Sequence, residues 1–206
     1  MKRTIQLLLG CFISLTLSAQ TQADAYIKEA QDFIAQKEYK QAQLSLQDAV
    51  NELNRLIAQQ VGESLPGEIN GLKADGEAEV ETAGMGMLGG GVQISRSYTH
   101  PSNDQNTAQV QIITNSPMLA SLGMYITNPG MMGNEYKGVR IGTTRAILRS
   151  ESSDDGNGHT LRDSELQIPL SQTLLTLQLR GFATEQDEIN FATKLDLAKL
   201  KVALGE

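Results

Sequence analysis

Val92-Gln93-Ile94-Ser95-Arg96-Ser97-Tyr98 and, ten residues on, Ala108-Gln109-Val110-Gln111-Ile112 are the stretches that decide the fold. In the first, Val92, Ile94, Arg96 and Tyr98 alternate with Gln93, Ser95 and Ser97. In the second, Ala108, Val110 and Ile112 alternate with Gln109 and Gln111. A period of two puts one set of side chains on each face of an extended chain, so both runs read as half-buried antiparallel strands. The polar segment Pro101 to Asn106 between them supplies the turn.

Working toward the C-terminus, Ser116-Pro117 opens a helix, with serine as N-cap and proline at the first helical position. Met118, Leu119, Leu122, Tyr125 and Ile126 form its apolar face, and Asn128-Pro129-Gly130 stops it. Further strands are expected at roughly 137–150, 158–168 and 173–180, the middle pair turning at Asp154-Asp155-Gly156-Asn157-Gly158. Asn-Gly and Asp-Gly suit such a turn because its central residues need positive φ. Thr184 with Asp187 three residues on is a capping signal for a last helix. Phe191, Leu195, Ala198 and Val202 lie along one side of it, widened by Leu197, Leu200 and Leu204. Adjacent strands with two interspersed helices predict an α+β domain over 66–206, a mainly antiparallel sheet packed with two helices.

Working toward the N-terminus, Val61 to Gly67 carries two glycines and a proline that separate this domain from a helical region over 24–62. Tyr26, Ile27, Ala30, Phe33 and Ile34 make one apolar stripe. Ala42, Leu46, Ala49, Val50, Leu53, Leu56 and Ile57 make another, with Gln36-Lys37-Glu38 between. The pattern predicts two antiparallel helices joined near Lys37–Tyr39. Ala30, Phe33, Tyr39, Ala42, Leu46 and Ala49 resemble a single tetratricopeptide repeat, although Asn54 stands where that motif usually has proline. Such repeats stack in series to bury a continuous core, so one copy is expected to pack on the following domain or on a second chain.

Residues 1–23 read as an export signal. Lys2 and Arg3 precede an apolar stretch from Ile5 to Leu17, and small residues lead to cleavage sites after Ala23 or Ala25. The stretch falls short of the roughly 20 apolar residues a membrane span needs. Cleavage at Ala23 takes two of the positive charges, moving the formal charge from −7 to −9. An acidic chain without a basic cluster speaks against nucleic acid as a partner. The one cysteine, Cys11, lies in the leader, so the mature chain would have no thiol chemistry or disulfide. Leu8-Leu9-Gly10-Cys11 also resembles a lipoprotein processing site, the alternative being a lipid anchor at Cys11. That reading strands Phe12 to Leu17 at the mature N-terminus.

The least ordinary stretch is Ala83-Gly84-Met85-Gly86-Met87-Leu88-Gly89-Gly90-Gly91. Gly84, Gly86 and Gly89 satisfy G-x-G-x-x-G, but a strand follows where a dinucleotide site needs a helix, so no cofactor is expected. Methionine repacks against varied partners, so Met85, Met87 and Leu88 with Met131 and Met132 are the candidate binding residues for a protein partner or for self-association. The alternative is Cu(I), because thioethers select it, with Met85, Met87, Met131 and Met132 as ligands. Asp75, Glu77, Glu79 and Glu81 alternate and would share one face of a strand. A straight row converges poorly on a cation and suits a solvated edge that discourages sheet association. His100 and His159 are the only histidines, and neither G-x-S-x-G nor S-x-x-K nor H-E-x-x-H occurs. An enzyme is therefore not expected. Carboxylates that meet only in the fold, as in a hydrolase, are the remaining catalytic alternative.

Ala83–Gly91, Ser95-Arg96-Ser97-Tyr98, Thr114 to Leu119, Thr127-Asn128-Pro129 and Val139-Arg140-Ile141-Gly142 together resemble a family of exported bacterial proteins of unknown function. The order of elements is similar, at the level of fold, to the photosystem extrinsic-protein (PsbP-like) sandwich. That likeness implies a non-catalytic accessory role. The expectation is an exported, periplasmic or secreted, non-enzymatic binding or accessory protein.

Overall fold

The computed structural model describes residues 14–82, 91–154 and 160–206. The chain is α+β and divides into two compact units, Met1–Leu56 and Ile57–Glu206, the division falling inside the second helix.

The first unit holds α1 (Ser14–Ala35) and most of α2 (Tyr39–Ser64), the expected helical pair. The reversal is a Schellman turn: Glu38 N–H reaches the Phe33 carbonyl at 2.9 Å and Lys37 N–H the Ile34 carbonyl at 3.0 Å. Lys37 takes the left-handed conformation there, with φ +63°, where glycine is usual. The side chains buried along the helices are small: Ala23 and Ala30 on α1, Ala42, Ser45 and Ala49 on α2. Ser45 Oγ ties the helices by donating to Glu29 Oε2 at 2.9 Å. The larger apolar residues Ile27, Ile34, Leu46, Val50 and Leu53 stay exposed. The expected cleavage sites after Ala23 and Ala25 lie within α1, and residues 1–13 are outside the described residues. No helix among the described residues is long and apolar enough to cross a membrane.

In the second unit, β1 (Glu68–Ile69), β2 (Leu72–Ala74), β3 (Glu79–Thr82), β4 (Val92–His100), β5 (Asn103–Thr114), β6 (Tyr136–Ile141), β7 (Thr144–Asp154), β8 (Thr160–Pro169) and β9 (Thr173–Arg180) form one antiparallel sheet. The order is β1-β2-β4-β5-β9-β8-β7-β6, with β3 also paired to β4. The last turns of α2, with α4 (Glu185–Thr193) and α5 (Leu197–Leu204), cover one face. There Ala58, Val61, Ile94, Val110, Leu166, Leu177, Phe191 and Leu200 form the main core. Phe191 meets the edges of Tyr98 and Phe182 at 5.8 and 5.7 Å. The Tyr98 hydroxyl donates to the Pro66 carbonyl at 2.9 Å. Burial pushes this phenol up to about 12, against the opposing pull of Arg96. On the other face α3 (Met118–Thr127) packs Leu122 on Ile147 and Leu174, joined by Leu119, Tyr125, Ile126, Met132 and Tyr136.

Several expectations need correction. The single strand at 137–150 is a hairpin, β6 and β7, with Ile141 paired to Thr144 across Gly142-Thr143. Gly142 has φ +58° at the first central turn position, a left-handed angle that costs glycine least. The last helix is two. Asp196 turns left-handed at φ +45° and caps α5 by accepting from Lys199 N–H at 3.1 Å. The break rotates α5, so Ala198 and Val202, expected inside, are exposed, and Leu200 is the residue that enters the core. At α3, Pro117 already has helical φ, but Ser116 makes no side-chain cap; only its carbonyl is used, by Leu119 N–H at 3.2 Å. The β4–β5 turn is tighter than Pro101–Asn106, since Asn103 to Asn106 belong to β5 and the register shifts between Thr99 and His100. Of the four alternating acids, only Glu79 and Glu81 lie in a strand; Asp75 and Glu77 sit in the bend between β2 and β3, and all four are exposed. The Thr184 cap is as expected, accepting from Asp187 N–H at 3.2 Å.

Candidate functional site

Alternation in the strands gives the sheet a second face, and away from α3 that face is polar. In β9, Leu175, Leu177 and Leu179 enter the main core while Thr176, Gln178 and Arg180 point the other way. β8 does the same with Leu166 and Ile168 against Asp163, Glu165 and Gln167. The pairing registers line these side chains into rows across the sheet. One row runs Ser97, Gln109, Gln178, Glu165, Arg149, Tyr136, one residue from each of β4, β5, β9, β8, β7 and β6. The next runs Thr99, Thr107, Arg180, Asp163, Glu151. Asp75 extends the first row at its far end, its N–H bonding the Ser97 carbonyl at 3.0 Å.

These two rows, without Tyr136, line a cleft of about 570 Å³, within the usual range for small-molecule sites. Its lining carries four carboxylates (Asp75, Glu151, Asp163, Glu165) and two guanidinium groups (Arg149, Arg180). Arg149 pairs with Glu151, and Arg180 Nε lies 3.5 Å from Asp163 Oδ1. Ser153 Oγ donates to Asp163 Oδ2. The other two acids have no cation within ion-pairing distance among the described residues. Asp75 accepts from the Thr99 hydroxyl at 2.9 Å, and Glu165 from the Gln167 amide at 2.5 Å. The floor between them is made by Gln109 and Gln178, both exposed. Neither side-chain amide has a hydrogen-bond partner among the described residues. Arg149 lies over the Tyr136 ring at 5.8 Å, and its Nε is buried without a partner.

A second cleft, of about 740 Å³, opens near α4 and is lined by Asn70, His100, Asn106, Asp187 and Lys194 among others. His100 Nδ1 faces Ser102, 3.3 Å from its backbone nitrogen and 3.2 Å from its hydroxyl. His159 is outside the described residues. No group of three or more His, Cys, Asp or Glu residues poised to hold a metal ion occurs among the described residues.

The candidate methionine surface is only partly described. Met85, Met87 and Leu88 lie outside the described residues. Met131 closes a 3-10 turn, Pro129–Met131, and is exposed at 69%, while the neighbouring Met132 is half-buried against the α3 cluster. The residues that flank the Gly/Met segment, Thr82 in β3 and Val92 in β4, pair with each other near one edge of the sheet. The Pro129–Met131 turn touches β6 at the opposite edge, where Gly138 lies against Pro129. Five strand spacings separate β4 from β6, about 24 Å.

Arg149, Glu151, Asp163, Glu165, Gln178 and Arg180 escaped the sequence reading as site residues. The signal was present in the alternation of Leu175 to Arg180 and of Glu165 to Ile168, but it marks a wet face without saying which strands neighbour one another. No protein-family model matches the chain, and no curated protein or solved structure matches it.

Proposed function

We propose that this chain is a non-enzymatic binding or accessory protein that holds its ligand in the polar cleft across β4, β5, β9, β8 and β7. The observation that carries this reading is the pair Gln109 and Gln178. Two amides side by side at the floor of a cleft, each with two donors and an acceptor unused, are groups a ligand can satisfy. Regular strands hold them, which fixes their geometry better than loops would. Two of the four carboxylates are engaged by arginine. The leader at residues 1–23 places the protein outside the cytoplasm in this reading.

The test is thermal-shift screening of the chain against amines, oligosaccharides and carboxylic acids, repeated with Gln178→Arg. Arginine at that position fills the floor. A compound that raises the melting temperature of the parent and not of Gln178→Arg supports the reading. Compounds that stabilise both chains equally, or none that stabilises the parent, refute it.

A further inference from the structure

We infer that the ligand of this cleft is an extended aliphatic polyamine laid across the strands; this rests on the binding reading above. Within the first row, the stretch Asp75, Ser97, Gln109, Gln178, Glu165 is bounded by two carboxylates with three uncharged hydrogen-bonding side chains between, and Arg149 follows Glu165. Neither Asp75 nor Glu165 is in an ion pair among the described residues: Arg149, beside Glu165 in the row, turns to Glu151 in the next row, and Arg180 to Asp163. The lining therefore carries two negative charges in excess, the difference between its four acids and two arginines. Lys73, opposite Thr99, stands outside that lining. Four strand spacings separate the two ends, about 19 Å along the row, a span that suits an extended tetraamine such as spermine. Terminal ammonium groups would meet Asp75 and Glu165. Inner amines would donate to the amide oxygens of Gln109 and Gln178 and to the Ser97 hydroxyl.

The same features weigh against other ligands. A polyanion meets an excess of carboxylate. A sugar finds no aromatic platform on the floor, because the Tyr98 ring turns into the core against Phe191, and Tyr136 lies under Arg149 at the far end. A compact divalent ion needs several oxygens converging on one point, and these acids are spread along a line.

Calorimetric titration of the full chain with spermine at low salt tests the inference. One saturable site is expected. Asp75→Asn and Glu165→Gln should each weaken it about 1.5- to 5-fold, the range for a partly exposed ion pair. Ethylenediamine, too short to reach both ends, should bind at least about tenfold weaker than spermine, having lost the linked second contact. Melting temperatures of both variants, expected near the parent's, exclude misfolding as the cause. Absence of spermine binding, or affinity indifferent to both substitutions, or equal affinity for ethylenediamine, overturns the inference. Side-chain amide signals of Gln109 and Gln178 in nitrogen–proton spectra separate the two levels of the argument. If maltotriose moves them and spermine does not, the polyamine inference falls and the binding site stands.

Discussion

Arg162→Ala should be among the most destabilising substitutions in the sheet unit, through the carboxylate it leaves behind. Glu188, in α4, has no solvent exposure and receives Arg162 Nε on Oε1 at 2.8 Å. Its second oxygen, Oε2, is buried with no partner. Arg162 also donates to Ser150 Oγ at 2.7 Å, but Ser150 keeps Ser164 at 2.9 Å and loses less. Removing the guanidinium strands a buried charge, which costs about 3–5 kcal/mol, against a typical domain stability of about 5–15 kcal/mol. Replacing both partners, Arg162→Met with Glu188→Leu, removes the charge along with its counterion and should lie within about 1–2 kcal/mol of the parent. Urea unfolding followed by near-ultraviolet circular dichroism reads both, since Tyr98, Tyr125 and Tyr136 lie in this unit. A single substitution costing under about 1 kcal/mol, or a double variant as unstable as the single, would refute the argument.

Stability should fall in alkali through Tyr98. Its phenol is neutral in the fold with a value of about 12 against an ordinary 10.0. Between those pH values the unfolded chain releases the proton first and binds fewer, so stability drops as pH rises from 10 to 12, by about 2–3 kcal/mol in all. Tyr98→Phe should flatten that drop in a pH series of urea midpoints, while costing about 1 kcal/mol at neutral pH for the bond to Pro66; an unchanged slope would point to another group. Gly181→Ala forces a Cβ to within 2.4 Å of the Gln105 carbonyl at φ +71°, so the variant should express poorly or melt far below the parent, and a parent-like melting curve would contradict the geometry. Leu122→Ala should cost about 2–5 kcal/mol, since this 4% exposed side chain holds α3 to Ile147 and Leu174. Faster amide exchange confined to residues 118–127 would locate the loss, and uniform exchange would count against it.

The strands β4 and β5 were legible because their residues alternate without interruption, and the helix pair because its stripes break at Gln36-Lys37-Glu38. The misreadings share a cause. At Gly142 and at Asp196 a single left-handed residue reverses or breaks the chain, and neither sits in the Asn-Gly or Pro-Gly company that marks a turn in sequence. Asp196 is the sharper case. An acid inside an apolar period looks like a solvated helix position, yet its side chain is the N-cap of a new helix. A helical count that carries the helix straight on puts Val202 inside, and it is 80% exposed.

The cleft shows why a wet strand face hides its chemistry. Gln109 and Gln111 were visible as the polar half of an alternating strand, and Asp75 as one of four acids. What makes Gln109 part of a candidate site is Gln178 beside it, 69 positions along the chain by their numbers, and that neighbourhood exists only because β9 inserts between β5 and β8. The same insertion sets the charge. With β5 paired directly to β8, Glu165 would stand one spacing nearer Asp75, and Arg180 would be taken from the side of Asp163. Shifting β8 by one residue against β9 would send Glu165 to the helix-covered face and bring Leu166 into the cleft. The acid–amide–acid row is thus a property of topology and register together, and its length and its two carboxylates outside any ion pair are what a ligand would read.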